Sequence, residues 1–151
     1  MLTTFVPARE LGEVLGSNAA FELSEDNVYQ PDISFILTER LHVARDVYFT
    51  GPPENANEII SPSTRHHDTE DTKINNARYV EREYWLIDPI HELATFYSRV
   101  GDQFVPLEAE GDVLRSNLLA GFWMRLDWLF PPEGRDRPSL LEIAGQQGLL
   151  A

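Results

Sequence analysis

The hydrophobic pattern along the chain predicts helices that alternate with short strands. Leu11, Val14 and Leu15 fall on one face of a helical projection, so residues 2–15 are predicted as a helix, which begins at Leu2 or at Pro7. Short apolar runs bounded by turn residues predict strands along much of the remaining chain. These strands are predicted at residues 19–23, 28–37, 57–61, 84–88, 93–100 and 103–109.

Two further helices are predicted between and after these strands. Residues 68–83 are predicted as a helix with Asp68 or Thr69 as its N-cap. The apolar residues 118–130 predict an amphipathic or buried helix. The second strand contains Pro31, so it is expected either to lie at a sheet edge or to begin at the proline.

The order of these elements predicts an α/β fold with a mixed sheet flanked by helices. The strands 57–61 and 84–88 are joined through the helix 68–83, so they are expected to run parallel with a right-handed crossover. Residues 1–130 are expected to form one domain. Residues 131–151 are expected to form a C-terminal tail, in which a short helix can occur.

Composition and charge narrow the possible functions. A chain of 151 residues without cysteine has no disulfide framework and no thiolate zinc site. It has neither a long apolar window nor the start of a signal peptide, so a cytoplasmic protein without a membrane partner is expected. The formal net charge of -13 argues against general coating of nucleic acid. It is compatible with a nuclease whose basic groups line one groove.

Two acidic residues stand beside strongly apolar strands. Asp32 precedes the run ISFIL, and Glu58 precedes a pair of isoleucines. A carboxylate in such a place is costly to desolvate unless a cation compensates it. Two carboxylates suit Mg²⁺, which keeps several waters and takes further oxygens from substrate phosphate. Taken singly, each acid is also compatible with an ordinary surface carboxylate, and Lys73 with a solvated helix lysine.

Four motifs occur in a fixed order along the chain: QPDISFI, NEIISPST, DTEDTK and EYWLIDP. In this order they resemble the PD-(D/E)xK nuclease superfamily, and within it the bacterial "putative restriction endonuclease" domain family. The resemblance covers roughly residues 11–129. It implies a restriction-endonuclease-like mixed sheet and metal-dependent hydrolysis of DNA.

The resemblance also implies roles for individual residues. Asp32 and Glu58 correspond to the metal ligands, and the backbone carbonyl of Ile59 is expected to face the same Mg²⁺ or Mn²⁺ ion. Lys73, displaced from the strand to the following helix, corresponds to the catalytic lysine. The N-terminal segment, which carries a further glutamate in the family, is expected to be shortened here. Glu13 and Glu22 are the candidates to replace that glutamate.

Several alternatives stay open on the sequence alone. The leading hypothesis is a DNA endonuclease, and the second is a degenerate nuclease fold that binds DNA or a protein partner without cleaving. An interaction protein without a metal is the third, and a homodimer is compatible with each. His66 and His67 are adjacent and lack an evident third ligand, so they are not predicted to bind metal. The expected basic edge for DNA comprises Arg65, His66, His67, Lys73, Arg78 and Arg82.

Overall fold

A computed structural model describes residues 1–45, 48–61 and 77–150. Two α-helices lie near the ends of the chain, α1 at Leu2–Ala8 and α2 at Leu140–Gln146. Short 3-10 helices occupy Thr38–Val43 and Leu126–Trp128. The strands are β1 Gly12–Gly16, β2 Ala20–Ser24, β3 Asn27–Tyr29, β4 Ile33–Leu37, β5 Ala44–Arg45, β6 Tyr48–Thr50, β7 Asn55–Ile59, β8 Glu83–Asp88, β9 Leu93–Val100, β10 Gln103–Pro106, β11 Val113–Arg115 and β12 Trp123–Arg125.

A six-stranded mixed sheet forms the centre of the fold, in the order β1-β4-β7-β8-β9-β10. Only β7 and β8 are parallel neighbours in it, and the other pairs are antiparallel. The predicted α/β class with a mixed sheet is confirmed, as is the parallel pairing of the strands that carry NEI and YWLID. β8 is buried along most of its length because it pairs on both sides and is covered on both faces.

The two faces of the central sheet are covered by different layers. One face packs against α1, the β11–β12 hairpin and α2 in an apolar cluster that includes Phe5, Trp85 and Ile143. The other face packs against a small sheet of order β3-β2-β6-β5, with Phe21 and Tyr84 in the shared cluster. Among the described residues, no helix has the length and apolar character needed to cross a membrane.

The predicted helix over residues 2–15 is wrong beyond Ala8. Glu10 has φ 53°, which ends the helical path, and Gly12 begins β1 at φ 155°. A Cβ on Gly12 would lie 1.9 Å from the carbonyl oxygen of Ile36, so glycine is what allows β1 to approach β4 here. Val14 and Leu15 therefore face opposite sides of a strand and do not share a helix face.

Three other predicted elements change in the structure. The strand over 28–37 divides at the proline into β3 and β4; β4 begins just after Pro31, as one of the two expected alternatives has it, and it is a central strand rather than an edge strand. The predicted helix 118–130 is wrong: β12 pairs there with β11, and Gly121 turns at φ 80°. Of the helix predicted over 68–83, the structure describes only residues 77–83; Ala77 is helical, residues 78–82 are not, and β8 begins at Glu83.

The backbone that enters β8 leaves the helical path because its hydrogen bonds go to other elements. Arg99 donates from its guanidinium to the carbonyls of Val80 and Glu81. The N–H groups of Arg82 and Glu83 both donate to the carbonyl of Glu54. Partners outside the segment thus satisfy the groups that a helix would have paired internally.

Candidate active site

The two sequence-predicted acids lie where two neighbouring strands of the central sheet end. We call this side of the sheet, formed by strand ends and not by an outer strand, its edge. β4 and β7 run antiparallel, and their outermost paired residues at this edge are Ile33 and Asn57. The next residues outward on the two strands are Asp32 and Glu58, which we call the acid pair. Residues opposite one another across two strands share a face, with Cβ atoms about 5 Å apart, so the side chains of the acid pair start from neighbouring positions on one face.

The position of Glu58 within its strand differs from the prediction. The sequence pattern placed Glu58 at the start of a strand, whereas it is the fourth residue of β7 and precedes only Ile59. Asp32 stands directly before β4. Because the strands are antiparallel, the start of β4 and the end of β7 meet at the same edge, and this brings the acids together.

A short hydrogen bond joins the two strand ends. The backbone N–H of Ile59 donates to Oδ2 of Asp32 at 2.7 Å. Asp32 and Glu58 are both half-buried, and the Ile59 side chain is 44% exposed. The bond fixes one oxygen of Asp32 beside the end of β7, so the acid has a defined orientation before any ligand is present.

Tyr29 is a member of the site that the sequence analysis missed. Its hydroxyl donates to Oε1 of Glu58 at 2.7 Å, and the residue is only 8% exposed. Burial, and then the negative charge of Glu58, raise the pKa of the Tyr29 hydroxyl above its usual range. The phenol therefore keeps its proton and acts as a donor. The available signal in the sequence was the tyrosine three residues before the aspartate in VYQPD. A tyrosine on a strand has a long side chain with a terminal hydroxyl, which can donate to a residue of a neighbouring strand.

A second aromatic layer covers Tyr29 on its outer side. The Tyr79 ring lies against the Tyr29 ring with centroids 5.7 Å apart. The Arg78 guanidinium lies over Tyr79, 4.7 Å from its centroid, and donates to its hydroxyl. That hydrogen bond lowers the pKa of Tyr79. The exposed Arg78 guanidinium is thus held against the ring of Tyr79. That ring packs on Tyr29, which donates the hydrogen bond to Glu58.

The remaining sequence-predicted basic residues are described only in part. Arg78 and Arg82 are exposed. The predicted catalytic lysine and the other members of the basic edge lie outside the described residues; these are Lys73, Arg65, His66 and His67, and the predicted N-caps Asp68 and Thr69 lie there too.

Neither candidate for the additional glutamate reaches the acid pair. Glu13 is opposite Ile36, four residues along β4 from Asp32, or about 13 Å at the usual rise per residue. Phe21 is opposite Tyr29 and shares its face, so the adjacent Glu22 points the other way, and it is exposed. Within the described residues, no three histidine, aspartate or glutamate side chains form a group that could hold a metal ion.

Asp88 and His91 lie at the same edge as the acid pair, because β8 runs parallel to β7 and ends there. Asp88 accepts the N–H groups of Ile90 and His91 through Oδ1, and Oδ2 lies 2.7 Å from Nδ1 of His91. The hydrogen bond from His91 is the main cause that lowers the pKa of Asp88. These bonds turn the chain after β8, as expected of an Asp-Pro strand terminator.

A buried carboxylate occupies the opposite end of β8. Glu83 is inaccessible to solvent and accepts four hydrogen bonds: from Trp85 Nε1, from the Ser116 hydroxyl, and from the N–H groups of Asn117 and Leu118. Burial raises its pKa, while the four donors act in the other direction. Glu83 thereby attaches the loop before β12 to the central sheet, and it is remote from the acid pair.

No curated protein matches the chain. One similar solved structure is a crystal structure described as a "putative nuclease belonging to DUF820" from Anabaena variabilis ATCC 29413. It is 18% identical with a TM-score of 0.64, and the match covers 85% of this chain and 73% of that chain. At this identity the likeness shows the fold.

The family comparison adds a function class to the fold. Residues 1–127 match the family Uma2, which carries the description "Putative restriction endonuclease". This range includes the acid pair, Tyr29 and all of the central sheet. Family and fold together support a nuclease function. The chain belongs to the family Uma2, described as "Putative restriction endonuclease".

Proposed function

We propose that this chain is a Mg²⁺- or Mn²⁺-dependent DNA endonuclease that hydrolyses phosphodiester bonds. The observation that carries the proposal is the meeting of Asp32 and Glu58 at one sheet edge, with Asp32 held on the N–H of Ile59 at 2.7 Å. Two carboxylates on neighbouring strand ends offer hard oxygen ligands, the kind that Mg²⁺ prefers. We propose a cytoplasmic location from the cysteine-free composition.

The acid pair would hold the cation, and Ile59 would add a neutral oxygen. In an extended strand, the N–H and C=O of one residue point toward the same neighbouring strand. The N–H of Ile59 points at Asp32, so its carbonyl is directed toward the same side. When bound, the cation supplies an acidified water and stabilises charge on the scissile phosphate. Lys73 would orient that water or stabilise the developing charge.

The direct test combines calorimetric titration with Mg²⁺ and Mn²⁺ and a nicking assay on supercoiled plasmid. We expect the wild-type protein to bind either ion and to nick the plasmid only when the ion is present. A wild type that neither binds an ion nor nicks DNA would instead be a degenerate nuclease fold. The net charge of -13 is the observation that favours this second outcome, because binding to phosphates requires a positive surface.

Replacing Lys73 by alanine separates metal binding from chemistry. We expect the ion affinity to be unchanged, because an ammonium is not a metal ligand. Plasmid cleavage should fall by about 10²-fold, the scale of losing one contact to the transition state. Lys73→Arg, which keeps the charge, serves as the partial control. Cleavage by Lys73→Ala at the wild-type rate would remove the lysine from the mechanism.

Binding of DNA is expected to depend steeply on salt and to involve Arg78. Arg78 is exposed and is held over Tyr79 beside the site. Arg78→Ala should weaken binding of a catalytically inactive variant to duplex DNA and lower the slope of log K against log salt by about 1. Arg9→Ala is the matched control, because Arg9 also lies over an aromatic ring, 5.8 Å from the centroid of Phe5, but directly after α1. Equal effects of the two variants would contradict a localised DNA surface.

A further inference from the structure

We propose that Tyr29 is a positioning residue for the metal ligand Glu58, and that its hydroxyl sets the orientation of the Glu58 carboxylate for cation binding. This inference rests on the proposed metal-dependent function. It assigns a task to a side chain that belongs to the small sheet rather than to the strands carrying the acids.

The contact crosses between two layers of the fold. Tyr29 is the last residue of β3, which pairs with β2 in the small sheet, whereas Glu58 belongs to β7 in the central sheet. The phenol bridges the layers through the 2.7 Å hydrogen bond to Oε1. Its ring is enclosed by the apolar cluster that contains Phe21 and Ile36, and its outer side is covered by Tyr79. The donor is therefore held in a fixed place independently of the acid.

The two acids of the pair need different degrees of support. Asp32 has a short side chain, and the backbone N–H of Ile59 holds its Oδ2. Glu58 has one more rotatable bond, so its carboxylate can sample more orientations and loses more entropy when it is ordered. A donor that engages Oε1 defines the plane of the carboxylate and so the direction of both oxygens. Hydrogen bonds of this kind to metal ligands commonly matter by 10–100-fold in metal affinity or activity.

A phenol suits this task better than a charged donor. Tyrosine is neutral at physiological pH because its ordinary pKa is about 10. A lysine or arginine in the same place would compete with the cation for the carboxylate by direct charge neutralisation. The neutral donor orients Glu58 and leaves its negative charge for the ion.

The test is Tyr29→Phe, which removes one oxygen and keeps the ring. We expect the dissociation constant for Mn²⁺, measured by calorimetry, to rise about 10-fold. At saturating Mn²⁺, kcat for plasmid nicking should fall about 10-fold, with KM for DNA unchanged. The electron paramagnetic resonance spectrum of bound Mn²⁺ should also change, because the geometry of its ligands changes. Thermal unfolding of the metal-free protein should stay cooperative, with nearly the same midpoint.

The matched control is Tyr97→Phe, the same change in the same apolar cluster, where Tyr97 stacks on Tyr84 away from the acid pair. It should leave Mn²⁺ affinity, spectrum and kcat at wild-type values. A Tyr29→Phe protein with wild-type Mn²⁺ affinity and kcat overturns the inference and leaves the proposed function standing. Loss of cooperative unfolding in Tyr29→Phe also overturns it, since the hydroxyl would then be structural. A wild type that binds no Mn²⁺ overturns the proposed function itself, and the inference with it.

Discussion

Replacing either member of the acid pair, by Asp32→Asn or Glu58→Gln, is expected to abolish measurable metal binding and to reduce plasmid nicking by about 10³-fold or more. Each change keeps the shape of the side chain and removes one negative ligand. Metal ions contribute several kcal/mol of transition-state stabilisation, and each 1.36 kcal/mol corresponds to a factor of ten in rate. Calorimetry with Mn²⁺ and the nicking assay measure the two effects on the same preparations.

The folded state of these variants should survive. An asparagine at position 32 can still accept the N–H of Ile59 through its amide oxygen. In metal-free protein the like charges of the pair repel each other, so neutralising one is expected to leave the unfolding midpoint equal or slightly higher. Glu13→Gln, an exposed acid on β1, is the control for loss of charge alone. Metal binding by Asp32→Asn at the wild-type affinity would exclude Asp32 as a ligand.

Glu83→Ala is expected to cost on the order of 4 kcal/mol of folding stability, the largest effect we expect on the fold. The substitution removes the shared acceptor of one buried donor, Trp85 Nε1, and of three partly buried donors, and an unsatisfied buried polar group costs about 1–3 kcal/mol. For a chain of this size the unfolding midpoint should fall by roughly 10 °C. Glu81→Ala, an exposed acid two residues earlier, is the control and should change the midpoint little.

The raised pKa of Glu83 gives this prediction a pH dependence. The folded protein binds the Glu83 proton more tightly than the unfolded chain does, so this residue's contribution to stability declines as pH rises from the ordinary glutamate pKa to the raised value. Glu83→Gln removes that titration. The stability difference between wild type and Glu83→Gln should therefore change in this pH window, as measured by denaturant unfolding. A difference that is constant across the window would contradict the raised pKa.

Strands with a strong local signal could be predicted from the sequence. The run YWLID is continuously apolar and ends on Asp-Pro, and it forms β8 with its last residue at Asp88. Likewise, the alternation of apolar and polar residues in LATFYSRV and the turn at Gly101 predicted two strands, which the structure has as β9 and β10. In these cases the pattern of burial and the turn residue are both encoded within about ten residues, so no distant partner was needed to recognise them.

Elements with an ambiguous local signal were decided by their partners in space. Residues 11–15 and 118–130 carry apolar residues at spacings compatible with a helix, but β4 and β11 supply strand partners that a helix cannot use. The pairing also requires Gly12 to approach Ile36 closely. The competing energies depend on contacts between residues far apart in the chain, and local periodicity contains no information about them.

The same distinction between local sequence signals and contacts made in space applies to the acid pair of the candidate site. The sequence by itself singled out Asp32 and Glu58 as candidates, because both acids stand beside apolar strands and the four motifs occur in order. It placed Glu58 at the start of its strand, and the antiparallel pairing of β4 with β7 is what brings this acid beside Asp32. Tyr29 entered the site only through the packing of the small sheet on the central sheet. Residue type is a local property and can be seen in the sequence, whereas the register and layering that make neighbours of distant residues arise only when the whole chain folds.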